Sequence, residues 1–379
     1  MRRLCATALI LCATGATLPA RGAVLPDDRA DILYHRYDGG GVTVDGPSLL
    51  VQKKFAEKYA VSANYYVDMV SSASIDVVTT ASPYKETRTQ GSFGFSMLNG
   101  STEYNVNYTL SDENDYTANT ASFDLSQDMF GGLTTVSFGF SRGWDDVRKH
   151  GDKAFAETID RRNYRLGLSQ IITKQLIMGL NYEVITDEGY LNNPYRSVRY
   201  LDPENPLGYA YQPEVYPRTR NSNAIALDAR YYLKYRASVH GEYRYYTDSW
   251  GIDANTVQVG YTQPWGRQWL FEAGYRWYDQ SAADFYSDLF PRADAQNFLA
   301  RDKELSSFTS NMFSVGATYE LPPLRWKFLE RSTLNLFYDR IHYDYADFRD
   351  LRKTGTTPGT EPLYQFDADV IRLFYSGWF

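Results

Sequence analysis

Apolar and polar residues alternate with a period of two along most of this chain. In STEYNVNYTLSD (101–112), Thr102, Tyr104, Val106, Tyr108 and Leu110 fall on one parity. Glu103, Asn105, Asn107 and Thr109 fall on the other. Such alternation predicts a strand with two unlike faces. Asn99-Gly100, just before it, is a strong hairpin signal. The segment before that turn, 89–97, aligns Phe93, Phe95 and Met97. The pattern recurs at 59–70, 132–142, 162–172, 176–186, 223–233, 237–247, 255–263, 268–278 and 311–320. Segment 332–342 alternates less cleanly, with Leu334, Leu336 and Tyr338 on the apolar side.

The last ten residues, VIRLFYSGWF, place Ile371, Leu373, Tyr375 and Phe379 on one parity and Arg372 and Ser376 on the other, interrupted by Phe374 and Trp378. Termini of soluble domains usually fray. A strand that closes a sheet on itself has a reason to run to the end. The ending resembles the terminal aromatic strand that the barrel-assembly machinery of bacteria reads, with Phe379, Tyr375, Leu373 and Ile371 as the signal residues and Gly377 as a departure from it.

Links between the segments fall into two kinds. Short ones lie near 57–58, 99–100, 128–131, 173–175, 234–236, 264–267 and 321–330. Longer ones span 71–86, 143–160, 187–220, 279–306 and 343–363, with brief exceptions near 111–116 and 248–254. Outer-membrane barrels have short periplasmic turns and longer extracellular loops. The pattern therefore predicts an all-β fold, a transmembrane antiparallel up-and-down β-barrel of about 16 strands (14–18). DILYHRYD (31–38) supplies the first upward strand, and both termini are periplasmic. A soluble β-sandwich also alternates, but it seldom repeats strands of this length so uniformly.

Composition sharpens the picture. The 379 residues include 33 tyrosines, 20 phenylalanines and 7 tryptophans, yet the mean hydropathy is −0.47. A barrel reconciles the two, because only alternate residues face lipid and aromatic girdles mark both interfaces. Past the first two dozen residues, no run approaches the roughly 18 apolar residues of a transmembrane helix. The start, MRRLCATALILCATGATLPARGAV, reads as a secretory signal over 1–22, followed by one barrel domain over 23–379. Its apolar run is shorter than the ~20 residues an anchor helix needs. Cys5 and Cys12 both lie in it, so the exported chain has no thiols for a disulfide or metal site. The leader carries three arginines and no acid, so its removal takes the net charge from −7 to −10. So acidic a chain is a poor nucleic-acid binder.

Several longer strings carry a family resemblance: YVDMVSSASIDVVTTASPYKETRTQ (66–90), DENDYTANT (112–120), GGLTTVSFGFSRGWDDV (131–147), NNPYRSVRYLDPENP (192–206), PEVYPRTRNSNA (213–224) and DFYSDLFPRADAQNFLARDKELS (284–306). They resemble DUF3570, a family of uncharacterised bacterial proteins. The resemblance implies a proteobacterial envelope protein with a barrel fold, located in the Gram-negative outer membrane. The family has no assigned catalytic residues to carry over.

Little in the sequence points to catalysis. GFSRG (139–143) matches G-x-S-x-G, but that motif needs a strand, a sharp turn and a helix. Here it lies inside an alternating strand with Ser141 on the lumen parity. Of His35, His150, His240 and His342, only His240 has a clear inward position, and no metal-binding histidine pair at helical spacing occurs. Asp112, Glu113 and Asp115 have the ligand type of a calcium site without the spacing of a known loop, and a solvated loop end is the plainer reading. No cofactor is expected.

The inward charges say more. Glu183, Asp228, Arg230, His240, Glu242, Arg244, Glu272 and Arg276 all fall on the lumen parity of neighbouring strands. They read either as a structural ladder of cross-strand pairs or as a charged constriction that selects solutes. Loops 190–220 and 287–305 are long enough to plug the lumen, cap the mouth or dock a partner, and the second is expected to hold a short helix after Pro291. The leading expectation is a porin-like channel or transporter for small polar solutes, surrounded by outer-membrane lipid, with a homo-trimer as the natural assembly. The alternative is a barrel that anchors or sheaths a periplasmic or extracellular redox or secretion partner. A barrel lipid hydrolase is third, disfavoured by the inward parity of Ser141.

Overall fold

The computed structural model describes residues 23–72, 84–322, 328–353 and 355–379. The expected leader, most of the expected 71–86 link and part of the 321–330 link lie outside the described residues. Sixteen antiparallel strands close into one barrel. In chain order they begin with β1 (Arg29–Gly39), β2 (Val42–Phe55), β3 (Tyr59–Ser72), β4 (Tyr84–Asn99) and β5 (Thr102–Asp112). β6 (Tyr116–Met129), β7 (Thr134–Lys149), β8 (Asp152–Ile171) and β9 (Leu176–Gly189) follow. A small hairpin, β10 (Ser197–Leu201) and β11 (Tyr209–Pro213), stands apart from the barrel. The barrel resumes with β12 (Thr219–Tyr232), β13 (Ser238–Asp248), β14 (Asp253–Trp265) and β15 (Trp269–Gln280). It ends with β16 (Phe308–Glu320), β17 (Arg331–Arg349) and β18 (Leu363–Trp378).

The last strand pairs with the first, from Arg29 opposite Trp378 to Gly39 opposite Ala368. Closure leaves no edge, the condition for placing a sheet in lipid. Ile371 and Leu373 are exposed outward, whereas Arg372 and Ser376 face in. The interruptions in this parity have a structural cause. Phe374 points inward and stacks on Phe337 of β17 (centroids 5.9 Å apart). Trp378 is held by the guanidinium of Arg331 at 3.9 Å.

Two expectations about links are corrected. No long loop occupies 143–160: β7 and β8 run on to a tight turn at His150-Gly151. Similarly, β17 continues to Arg349. Beyond the membrane both faces of a strand meet water, so apolar alternation stops while backbone pairing continues. The helix expected after Pro291 is also absent; only a short 3-10 turn forms, at Lys303–Leu305. That loop is fixed by tertiary contacts instead.

A repeated contact rings the outer wall. Among the described residues, six of the eight upward–downward strand pairs have an outward tyrosine that donates its hydroxyl to an Asn or Asp on the next strand. The pairs are Tyr34–Asp45 (2.9 Å), Tyr108–Asn119 (2.7 Å), Tyr182–Asn223 (2.9 Å), Tyr243–Asn255 (2.8 Å), Tyr275–Asn311 (2.7 Å) and Tyr338–Asp369 (2.6 Å). In each, the acceptor stands two residues before the tyrosine's register partner. Tyrosine, with an apolar ring and a polar tip, suits a lipid–water boundary. Below the ring lie exposed Leu373, Leu336, Leu227, Val259 and Val106; above it lie charges such as Arg36, Asp38, Arg340 and Asp367. The ring marks the interface on the side of the long links.

Candidate functional site

The eight lumen candidates line one wall, from β9 across β12 and β13 to β15. The Arg244 guanidinium reaches over β12 to Glu183 at 3.2 Å, and Glu183 also accepts from Asn163 at 2.7 Å. Asp228 accepts from Asn181 at 3.2 Å. Arg230 is exposed to the lumen, within electrostatic range of Asp228, His240 and Glu272. Glu242 lies in the fields of Asp228 and Arg244. Arg276 faces the lumen between Gln258 of β14 and Met312 of β16.

The wall is kept flat by glycines beside its bulky groups. A Cβ on Gly260 would lie 2.0 Å from the His240 ring, and one on Gly179 2.2 Å from the Asp228 carboxylate. With hydrogen in that place, each neighbour lies along the wall instead of standing into the channel.

The strands to either side of this wall hold ion pairs that the pattern did not single out. Arg165 meets Asp124 at 2.8 Å, Arg161 meets Asp145 at 3.2 Å and Arg372 meets Asp339 at 2.7 Å. His35 also faces inward, against expectation. It contacts Asp68 at 2.8 Å and Tyr66 at 3.0 Å and stacks on that ring. Each such pair joins residues 33 to 41 positions apart or spans neighbouring strands, so sequence spacing carries no trace of it. His342 points outward, between Asp344 and Asp367. Between the charges, the lumen is lined by small polar side chains such as Ser92, Asn107, Ser122 and Ser141. Ser141 sits in mid-strand opposite Asn163 and Ser122, not on a strand-to-helix elbow.

The acidic trio diverges. Asp112 accepts from Thr117 on the outside, Asp115 accepts from the Tyr195 hydroxyl, and Glu113 turns toward Arg88 at 3.9 Å. Burial, reinforced by the charge of Glu86 and opposed by Arg88, pushes the Glu113 carboxyl up to about 7.

The long loops form a cap. β10–β11 extends from the β9–β12 side of the mouth, and Gly208 near its tip comes against Pro358 of the β17–β18 link. Behind the tip, Arg199 is fully buried. Its guanidinium donates to Glu361 at 2.6 and 3.0 Å and to Asp288 at 2.5 Å. Arg301 grips the same Asp288 at 2.8 Å and lies over the Phe348 ring. Three links, 190–218, 281–307 and 350–362, thus share one buried ionic knot. Burial alone would raise the Glu361 carboxyl, but the hydrogen bonds and charge of Arg199 and the backbone amides of Glu361 and Gly359 hold it below the usual range. Beside the knot, Val198, Phe290 and Leu299 form one small core, and Tyr216, Trp250, Phe285 and Leu305 belong to another. Tyr216 donates to buried Glu214 at 2.7 Å. A cavity of about 320 Å³ opens beside Trp250, Phe285 and Phe298, rimmed by Asp284, Gln296 and Asn297.

The model of the family described as "Protein of unknown function (DUF3570)" matches residues 75–165 and 156–328, well over half of the chain. The chain belongs to this family. No curated protein shows significant sequence similarity to this DUF3570 member. Among solved structures, it is similar to a bacterial polysaccharide outer membrane secretin (6% identity, TM-score 0.50), covering 94% of this chain and 100% of that one. It is also similar to the siderophore receptor PirA from Pseudomonas aeruginosa (11%, TM-score 0.44), covering 93% of this chain and 63% of the receptor. A Pseudomonas aeruginosa FadL homologue matches at 10% identity and TM-score 0.43, covering 94% of this chain and 91% of that one. At such identities the likeness is one of fold: a closed barrel of the Gram-negative outer-membrane kind.

Proposed function

We propose that this DUF3570 protein is an outer-membrane channel or transporter for small polar solutes. The observation that carries the reading is the character of the lumen wall. From β4 round to β15 its side chains are mostly polar, many of its charges are paired with one another, and its glycines keep the larger groups flat, whereas the face formed by β1, β2 and β16 to β18 carries an apolar cluster of Tyr37, Ile341, Val370 and Phe366. Such a wall offers hydrogen bonds to a passing solute without a deep electrostatic trap, as conduction requires. The ionic knot holds the cap in one position over the mouth, so the cap acts as the first filter.

Planar-bilayer conductance of the refolded, heat-modifiable protein tests this reading. Discrete and reproducible steps are expected, together with passage of uncharged sugars into protein-containing liposomes. A folded barrel that is silent in both assays overturns it.

One observation favours a second reading, a scaffold for an extracytoplasmic protein partner. The cap exposes Leu201, Leu207, Tyr211, Val215 and Phe298 on its surface. A silent barrel whose cap captures a defined envelope protein supports that reading.

A further inference from the structure

Two strand pairs fall outside the six of the tyrosine ring, β3–β4 and β7–β8, and at β7–β8 the position carries charge. Phe140 stands where those six pairs have tyrosine, since its register partner is Tyr164. Two residues before Tyr164, where the acceptor belongs, stands Arg162. Directly opposite Arg162 across the strands is Arg142. Both side chains face outward and are about half exposed, at 53% for Arg142 and 46% for Arg162.

Equivalent positions elsewhere never pair like charges. They hold opposite charges in Arg36–Asp45 and Arg340–Asp369, and a neutral pair in Leu110–Asn119. Like charges directly opposite on a sheet face destabilise it. The flanking positions in the same register are Ala121 and Thr186, both neutral. One carboxylate, Asp160, serves both arginines, at 2.5 Å from Arg142 and 3.0 Å from Arg162. The next acid beside it, Glu188, is opposite Asp160 one step farther out. Two cations therefore share one anion at the level where the tyrosine ring places lipid headgroups.

We propose that Arg142 and Arg162 bind the phosphate of an outer-leaflet lipid headgroup. Guanidinium pairs suit phosphate because their donors match its oxygens bidentately. The surface just below supports a lipid over a free anion. Phe138, Tyr164 and Leu166 are exposed there, so acyl chains would lie on them while the phosphate meets the arginines. Arginine on the lipid face costs far less near the interface than at mid-bilayer. The inference does not depend on whether the lumen conducts.

Native mass spectrometry of the refolded full chain with diphosphoryl lipid A tests it, with phosphatidylcholine as the neutral-headgroup comparison. The wild type is expected to retain lipid A selectively. Arg142→Gln/Arg162→Gln is expected to lower occupancy by about tenfold or more, as loss of charge-assisted hydrogen bonds implies. Arg340→Gln, in the same register on β17, is expected to leave occupancy unchanged. Equal retention by the double variant overturns the proposal. Full competition by a millimolar excess of inorganic phosphate also overturns it, because the site then takes a free anion. Should the double variant not fold, Asp160→Asn removes the shared counter-charge and keeps both arginines. It is expected to raise occupancy, and unchanged or lower occupancy overturns the proposal.

Discussion

Arg199 and Glu361, separated by 162 positions in sequence, meet in a two-pronged ion pair with no solvent access at the arginine. Removing one partner of a buried pair leaves an uncompensated charge and costs about 3–5 kcal/mol. The pair lies in the cap and not in the barrel wall, so that cost falls on the cap. Arg199→Ala is expected to expose 190–218 and 281–307 to limited proteolysis while the heat-modifiable barrel band persists. Loss of the folded band would place the knot in the barrel's own stability instead.

Acid is expected to loosen the cap in the same way. Glu361 titrates below its ordinary value of 4.5. A carboxyl depressed in the fold contributes stability that is fully present above the unfolded value and lost as pH falls through the folded one. Proteolytic release of the cap is therefore expected to begin only below about pH 4.5, and Glu361→Gln is expected to show the loosened state at neutral pH.

Glu113 behaves with the opposite sign. Its carboxyl is raised from 4.5 to about 7 in the fold. Its stabilising contribution is present below 4.5 and disappears as pH rises through about 7. The β5–β6 turn is expected to exchange its amide hydrogens faster at pH 8 than at pH 5, after correction for intrinsic rates. Glu113→Gln is expected to flatten that difference.

The barrel was legible because lipid imposes one rule on every strand. Outward residues such as Phe313, Val315 and Leu227 must be apolar, and that demand survives in the sequence as period two. The upper parts of β7 and β8 were not legible, because above the membrane neither Asp146 nor Lys153 is required to be apolar. The cap was also hidden. Its knot joins Arg199, Asp288, Arg301 and Glu361, and nothing local distinguishes those four from surface charges. The lumen candidates were singled out by parity alone, and parity does not give their partners. Arg244 pairs across an intervening strand with Glu183, which no two-strand pattern shows. The tyrosine ring left a trace that could have been read: an Asx two residues ahead of a lipid-facing apolar residue on downward strands, as in Asn223-Ala224-Ile225 and Asp369-Val370-Ile371.

That Arg244–Glu183 pair sets an expectation for ion selectivity. Each side chain neutralises the other in the lumen, so removing one leaves the other's charge in the pathway. Under a KCl gradient, Arg244→Gln is expected to move the reversal potential toward cation preference. Glu183→Gln is expected to move it toward anion preference. Shifts of the same sign in both variants would mean that the pair acts on lumen shape and not through charge.

Gly260 offers a test of the flat wall. An alanine methyl there would fall 2.0 Å from the His240 ring, so the imidazole must swing away from the wall. Overpacking of this kind costs about 1–3 kcal/mol in a tight core, and less where one neighbour is free to move into open lumen. The larger effect is expected in the pathway itself. His240 displaced into the lumen narrows it and brings the ring closer to Arg230 and Glu272. Gly260→Ala is therefore expected to lower single-channel conductance with little change in the unfolding temperature. Restoring space with Gly260→Ala/His240→Ala is expected to return conductance to the wild-type level or above. If the double variant stays low, the methyl itself obstructs the lumen, and the glycine's role lies in strand packing instead of in keeping His240 flat.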